Sequence, residues 1–240
     1  MSIPAPYRTR HEFVMAFMAN VTMTSATVVT GQQQGRHGRR PDKPQAGMSG
    51  DDLAFRTYFN MRSVARMIAS ICTDKVRRKK KKPKVWTVNM FVSQAISHIH
   101  RGLSAELKGE RHHERGLSAG LKGVRRHKAK SGYGCPVDEV KVRWKAFVDE
   151  LQAKLDHEDP AELCAWVEYQ VRYAIHPLAD GSGRLATALS AWIMLRSKRA
   201  IPSYAFWQRS QMHDKLREGF DAFREYYMKV CFESTQEVTS

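Results

Sequence analysis

Apolar residues recur at spacings of three and four along most of the chain, which is the period of an α-helix with one buried face. The clearest case runs from Asp51 to about Asp74, where one face carries Leu53, Phe55, Tyr58, Met61, Val64, Ala65, Ile68 and Ile71. The same pattern predicts further helices over residues 11–29, 87–106, 137–155 and 210–230, one that begins at Asp159-Pro160 and one that follows residue 184. Strand signals are sparse. The predicted fold class is therefore mainly α.

Three segments interrupt this pattern. Residues 31–47 are rich in Gly, Pro, Gln and Arg and are predicted to form a flexible loop. Residues 75–84 form a basic loop with eight Lys or Arg in ten positions. Residues 101–128 contain a 14-residue segment in two copies that match at ten positions. Two copies are too few for a solenoid, so the duplication is interpreted as a longer loop or helix.

The 240-residue chain carries a formal net charge of +16, which favours anionic partners such as nucleotides, nucleic acid or acidic proteins. Nucleic acid ranks last, because no nucleic-acid-binding motif is present and few aromatic residues lie among the basic runs. No signal peptide and no run of about 18 apolar residues is evident, which predicts no membrane association and a cytoplasmic location. Export by another route, or nuclear targeting through the basic loop 75–84, stays open.

The candidate chemistry lies in residues 176–184, with the sequence HPLADGSGR. This segment contains an imidazole, a carboxylate, two glycines around a hydroxyl and an arginine, between two predicted helices. Backbone N–H groups at a helix start can bind an anion. A phosphate-binding P-loop would need Lys followed by Ser or Thr, and a dinucleotide site would need a preceding strand. A zinc site at His176 and Asp180 lacks an evident third ligand.

The segment resembles the active-site motif of the Fic family of adenylyl- and related phosphotransferases, His-x-Phe-x-Asp/Glu-Gly-Asn-Gly-Arg-x-x-Arg. Further stretches are similar to the family: Phe59-Asn60-Met61, residues 98–101 (HIHR) and residues 136–151. The resemblance implies a Fic-type helical bundle with a small β-hairpin flap near residues 122–133. It divides the chain into an N-terminal helix and loop (1–50), a catalytic domain (51–230) and a C-terminal tail (231–240).

The resemblance also implies the chemistry of the site. Members of the family transfer a nucleoside monophosphate, usually from ATP, onto a Ser, Thr or Tyr hydroxyl of a target protein. His176 would accept the proton of that hydroxyl, and an imidazole, with an ordinary pKa of about 6.5, suits this role. Asp180 would hold Mg²⁺. The phosphates would be bound by the backbone of Gly181, Ser182 and Gly183 and by the side chain of Arg184.

Three positions depart from the family motif. Leu178 replaces phenylalanine, Ser182 replaces asparagine, and Thr187 replaces the second arginine, which predicts a weak grip on a triphosphate. A different nucleotide donor, transfer of another phosphate-containing group, and a nucleotide-binding pseudoenzyme or interaction module are the alternatives. Residues 26–31 are similar to the family's inhibitory helix, with Thr30 in place of its glutamate. We therefore hypothesise that this chain lacks the usual glutamate switch.

Overall fold

The structure, a computed structural model, describes residues 6–24, 50–73, 85–101, 133–178, 181–204 and 208–239. The regular elements of these residues are all helical, which confirms the predicted fold class. In chain order they are α1 (Arg10–Thr24), α2 (Gly50–Thr73), α3 (Val88–Ile99), α4 (Val140–Lys154), α5 (Pro160–Tyr169), a π-helical turn (Gln170–Ala174), α6 (Ser182–Arg196), α7 (Gln208–Glu218) and α8 (Phe220–Thr239).

Short polar residues set where several helices begin. Thr9 and Glu12 form a capping box at α1, in which the Thr9 hydroxyl accepts from the Glu12 N–H and the Glu12 carboxylate accepts from the Thr9 N–H, each at 3.1 Å. Thr87 caps α3 through its hydroxyl, which accepts from the Met90 N–H. Asp159 caps α5, and Pro160 occupies its first turn. The prediction that Asp159-Pro160 starts a helix is therefore confirmed.

Helix α6 is the centre of the bundle. Its residues are buried on every face from Leu185 to Leu195, which is the pattern of a helix surrounded by others. It packs against α1, α2, α3, α5 and the π-helical turn. The stack of Phe91 from α3 on Trp192 from α6, with ring centroids 4.4 Å apart, lies in this core. The start of α6 is therefore held in place by most of the bundle.

The C-terminal region differs from the sequence pattern at one point. The single helix predicted over residues 210–230 is wrong in detail, because it is divided into α7 and α8 at Gly219. Gly219 has a φ of +125°, a left-handed conformation that ends one helix before the next begins. Helix α8 extends to Thr239 and so includes most of segment 231–240.

None of the helices in the described part of the chain combines the length and the apolar character that a membrane-spanning segment needs. The basic loop 75–84, the predicted flap up to Gly132 and the duplicated segment beyond Arg101 lie outside the described residues.

Candidate functional site

His176 follows an irregular stretch of backbone. The π-helical turn Gln170–Ala174 ends with a bond from the Ile175 N–H to the Gln170 carbonyl at 2.8 Å, five residues apart. π-Helical turns are rare and occur mostly at functional sites. His176 itself has a φ of +49°, a left-handed conformation that is uncommon outside glycine. The backbone thus turns sharply at the candidate base.

The Nδ1 atom of His176 lies 2.8 Å from the carbonyl oxygen of Arg172. A carbonyl can only accept, so Nδ1 must carry the proton in this contact. In the neutral imidazole the lone pair is then on Nε2. The π-helical turn therefore sets both the direction of the ring and the nitrogen that can accept a proton.

The glycine turn begins helix α6. Gly181 has φ +100° and ψ +5° and precedes the first helical residue, Ser182. The Ser182 hydroxyl accepts from the Leu178 N–H at 3.0 Å and lies 3.2 Å from the Leu178 carbonyl oxygen. Leu178 is fully buried, as expected for the position where the family has phenylalanine. Since Gly181 has no side chain and Ser182 is turned back to Leu178, neither residue covers the helix start with its own side chain.

Arg184 folds back over this turn. Its guanidinium is buried, with Nη2 lying 3.4 Å from the position that a Cβ on Gly181 would occupy. Ile99 and His100 approach the same position, at 3.0 Å from Cγ2 and 3.5 Å from Nε2. A side chain at residue 181 would therefore meet Ile99 and Arg184 directly.

Asn60 connects two stretches that the sequence singled out separately. Its side-chain amide, in the interior of α2, donates to the carbonyl oxygens of Ile99 and Arg101, both at 3.0 Å. This contact fixes the end of α3 to α2, and Ile99 and His100 at that end lie beside Gly181. The similarity of Phe59-Asn60-Met61 and of residues 98–101 to the family thus corresponds to one physical contact beside the candidate site.

The Tyr133 ring lies beside His176 and contacts two further rings and an arginine. The Tyr133 ring centroid lies 6.2 Å from that of His176 and 5.2 Å from that of Tyr173. The Tyr133 hydroxyl is 3.0 Å from Nδ1 of His213 on α7, and the Arg217 guanidinium lies 5.8 Å from the Tyr133 ring. Burial raises the pKa of Tyr133, so this hydroxyl stays protonated at neutral pH.

Comparison with solved structures identifies the architecture around this site. A Fic-domain-containing signaling protein from Bacteroides thetaiotaomicron matches with a TM-score of 0.62 and 16% identity, over 95% of this chain and 86% of the other. Fic-1 from C. elegans matches with a TM-score of 0.63 and 16% identity, over 96% of this chain and 63% of the other. The chain has the Fic fold. No protein-family model matches the sequence, and no curated protein sequence matches it.

A variant of the worm protein gives a similar result, with a TM-score of 0.59, 17% identity and coverage of 95% of this chain and 62% of the other. The chain thus spans less than two thirds of the worm protein in either form. At such low sequence identity, these structural matches establish the Fic fold alone. The resemblance in the sequence is confirmed at that level.

Of the predicted site residues, His176 follows the π-helical turn, and Gly181, Ser182, Gly183, Arg184 and Thr187 lie in the first turns of α6 or at its N-cap. Asp180 and Thr30 lie outside the described residues, so the predicted magnesium ligand and the predicted lost switch stay predictions. The described residues contain no cluster of three or more His, Cys, Asp or Glu side chains that could hold a metal ion.

A buried charged pair at this site was not predicted from the sequence. Glu168 and Arg172 form an ion pair, and Nη2 of Arg172 donates to the Thr187 hydroxyl at 2.5 Å. The two charged residues are four apart, a spacing typical of exposed helix pairs, so the pattern alone does not indicate burial.

Proposed function

We propose that this protein is a Fic-type nucleotidyltransferase, which moves a nucleoside monophosphate from a nucleoside triphosphate such as ATP onto a hydroxyl of a target protein. The observation that carries the proposal is the arrangement of His176 and the start of α6. The lone-pair nitrogen of His176 is set by its bond to the Arg172 carbonyl. Helix α6 starts a few residues later with Gly181 as its N-cap, and the buried Arg184 guanidinium folds over this helix start.

In the proposed reaction, Nε2 of His176 accepts the proton of the target Ser, Thr or Tyr hydroxyl. The hydroxyl oxygen forms a bond to the α-phosphorus as the bond from that phosphorus to the bridging oxygen of the β-phosphate breaks. Diphosphate leaves with the electron pair of that bond. Phosphoryl-type transfer needs mainly position and charge neutralisation, and a fixed imidazole supplies the proton acceptor.

The start of α6 is suited to the phosphates. The N–H groups of Ser182 and Gly183 belong to the first turn, where the helix dipole favours negative charge. Arg184 adds a planar guanidinium that can donate to phosphate oxygens in pairs. Because Arg184 is buried, water weakens its interaction with an anion less than at the surface.

Mg²⁺ is part of the proposal, and when bound it would neutralise charge on the phosphates. Asp180 is the carboxylate of the motif that would hold it. Asp180 lies outside the described residues. The proposed partner is a protein with an accessible hydroxyl. That hydroxyl would bind beside His176, where the Tyr133 ring of this chain also lies.

The test is incubation of purified protein and a cell lysate with Mg²⁺ and α-labelled ATP, GTP, CTP or UTP. The control variants are His176→Ala and His157→Ala, the second removing an exposed imidazole outside the site. We expect label on protein with at least one nucleotide, a loss of about 10²–10⁴-fold with His176→Ala, and no change with His157→Ala.

A parallel incubation with γ-labelled nucleotide separates the alternatives. Label from the γ-position that depends on His176 would indicate transfer of a phosphate instead of a nucleotide. Protein that binds nucleotide and transfers no label from either position would indicate a nucleotide-binding interaction module. Either result would replace the proposal.

A further inference from the structure

A buried ion pair lies directly behind the glycine turn. The Glu168 side chain on α5 is 3% exposed and that of Arg172 on the π-helical turn is 6% exposed. Nε of Arg172 donates to Oε2 of Glu168. Burying two charges is unfavourable unless geometry and further hydrogen bonds compensate, so the rest of the Arg172 guanidinium needs a reason for its position.

The other edge of that guanidinium faces α6. Nη2 donates to the Thr187 hydroxyl, which in turn donates to the Gly183 carbonyl at 3.2 Å. Nη1 lies 2.8 Å from the position that a Cβ on Gly183 would occupy, closer than real Cβ contacts come. Gly183 therefore lets the Arg172 guanidinium lie against the first turn of the helix.

Positive charge is concentrated at this turn. The start of α6 carries the positive end of the helix dipole. Arg184 folds over the turn at Gly181, and Arg172 lies against it at Gly183. The Glu168 carboxylate pairs with Nε of Arg172. The Nη atoms on the opposite edge of the guanidinium lie near the turn, so the positive side of the ion pair faces it. Two guanidinium groups and the positive end of a helix dipole at one turn favour an anion that carries more negative charge than Arg184 alone would bind.

We propose that Arg172 is a second phosphate-binding residue of this site, which makes it selective for donors that carry more than one phosphate. The proposal rests on the proposed function, since it assigns the second phosphate contact to the same nucleotide site. Thr187 by itself predicts weak binding of a triphosphate, and Arg172 would change that expectation. A guanidinium is missing at residue 187 in the sequence, and Arg172 brings one to the Thr187 hydroxyl from the preceding π-helical turn. Glu168 holds that guanidinium in place.

The test measures dissociation constants for AMP, ADP, ATP and inorganic tripolyphosphate in a His176→Ala background, where transfer is removed. Arg172→Met alone would leave Glu168 buried without its partner, so the main variant is the pair Glu168→Gln with Arg172→Met. We expect ADP, ATP and tripolyphosphate to bind about tenfold more weakly, and AMP to change by less than about threefold, as for the loss of one charge-assisted contact. Arg172→Lys should lie between.

The matched control is Glu162→Gln with Arg224→Met, a solvent-exposed ion pair between α5 and α8 that includes no residue of the glycine turn. It should leave all four constants unchanged. A third variant adds Thr187→Arg to the main pair and should restore the preference for ADP and ATP over AMP. Equal weakening of AMP, ADP and ATP, or none, would overturn the proposal, because a purely structural role does not distinguish phosphate number.

Failure of this inference and failure of the proposed function give different results. Binding is measured without transfer, so absence of label in the transfer assay does not affect it. If tripolyphosphate binds in an Arg172-dependent way and no nucleotide binds, the proposed function fails and the polyphosphate site stands. If the protein binds neither nucleotide nor tripolyphosphate, both fail.

Discussion

Helices α5 and α6 pack against each other and follow one another in the chain, yet they begin in different ways. At α5 the Asp159 carboxylate accepts from the N–H groups of Ala161 and Glu162, at 2.9 and 3.3 Å. At α6 the N-cap is Gly181, which has no side chain, and the next hydroxyl is turned back to Leu178. The start of α5 is capped by a side chain, and the start of α6 is not.

The capped helix start and the uncapped one also lie in different surroundings. Asp159 is exposed and also pairs with Arg199 at 2.8 Å, so α5 begins at the surface, where a cap serves stability. The start of α6 lies inside the bundle, flanked by the guanidinium groups of Arg184 and Arg172. A capping carboxylate there would occupy the place of a bound anion. The contrast suggests that stability and ligand binding can be separated by mutating the two helix starts.

The largest effect is expected from Gly181→Ala. A side chain at φ +100° is strained, and its Cβ would lie 3.0 Å from Ile99 Cγ2. We expect the free energy of unfolding to fall by about 1–3 kcal/mol, with a rise in the dissociation constant for ATP of about tenfold or more. Urea unfolding and calorimetric titration measure the two effects.

Gly219→Ala is the matched control for that change. Gly219 also has a positive φ, +125°, but an added Cβ would have no atom within 4 Å. It should lose stability through backbone strain alone, about 1–2 kcal/mol, and bind ATP as the wild type does. Equal effects of the two substitutions on ATP binding would contradict the distinction between the α6 start and an ordinary glycine break.

Ser182→Ala should have the next largest effect. It removes the hydroxyl that accepts from the buried Leu178 N–H, and an unsatisfied buried donor costs about 1–3 kcal/mol. Ser63→Ala on α2 is the control, because the Ser63 hydroxyl only donates to the Phe59 carbonyl near the surface. That change should stay within about 0.5 kcal/mol in urea unfolding. Similar losses for both would mean that Ser182 does not hold the turn.

Much of this contrast could be predicted from the sequence, because it depends on local chemistry. Asp159-Pro160 indicates a capped start in any context, and the order of His176, glycines and Arg184 indicates an anion site. Apolar periodicity predicted the helices, although one tolerated glycine, Gly219, was not recognised as a break.

The missed features depend on tertiary packing. A π-helical turn shifts the register by one residue without a sequence signature, so the bond from His176 to the Arg172 carbonyl could not be predicted. Glu168 and Arg172 have the spacing of an exposed pair, and their burial follows only from the central position of α6. The segment that resembles the family motif was therefore predictable, and the charged pair behind it was not.

The smallest effect is expected at the capped start of α5, from Asp159→Ala. Loss of the cap should reduce the free energy of unfolding at pH 7 by about 1 kcal/mol and leave the dissociation constant for ATP unchanged. Asp149→Ala removes an exposed carboxylate within α4 and should change stability by less than about 0.5 kcal/mol. Weaker ATP binding in Asp159→Ala would show that the two helix starts are not independent.

The effect of Asp159→Ala should also depend on pH in a direction set by its contacts. Burial raises the pKa of Asp159, but the N–H groups of Ala161 and Glu162 and the Arg199 guanidinium outweigh burial and hold this pKa below its ordinary value. A carboxyl with a lowered folded-state pKa contributes its full stability above the unfolded-state pKa, and loses it as the pH falls through the folded-state pKa. The stability difference between wild type and Asp159→Ala should therefore be constant from neutral pH down to about pH 4.5 and shrink below that. A difference that grew on acidification would mean that the carboxylate does not act as the cap.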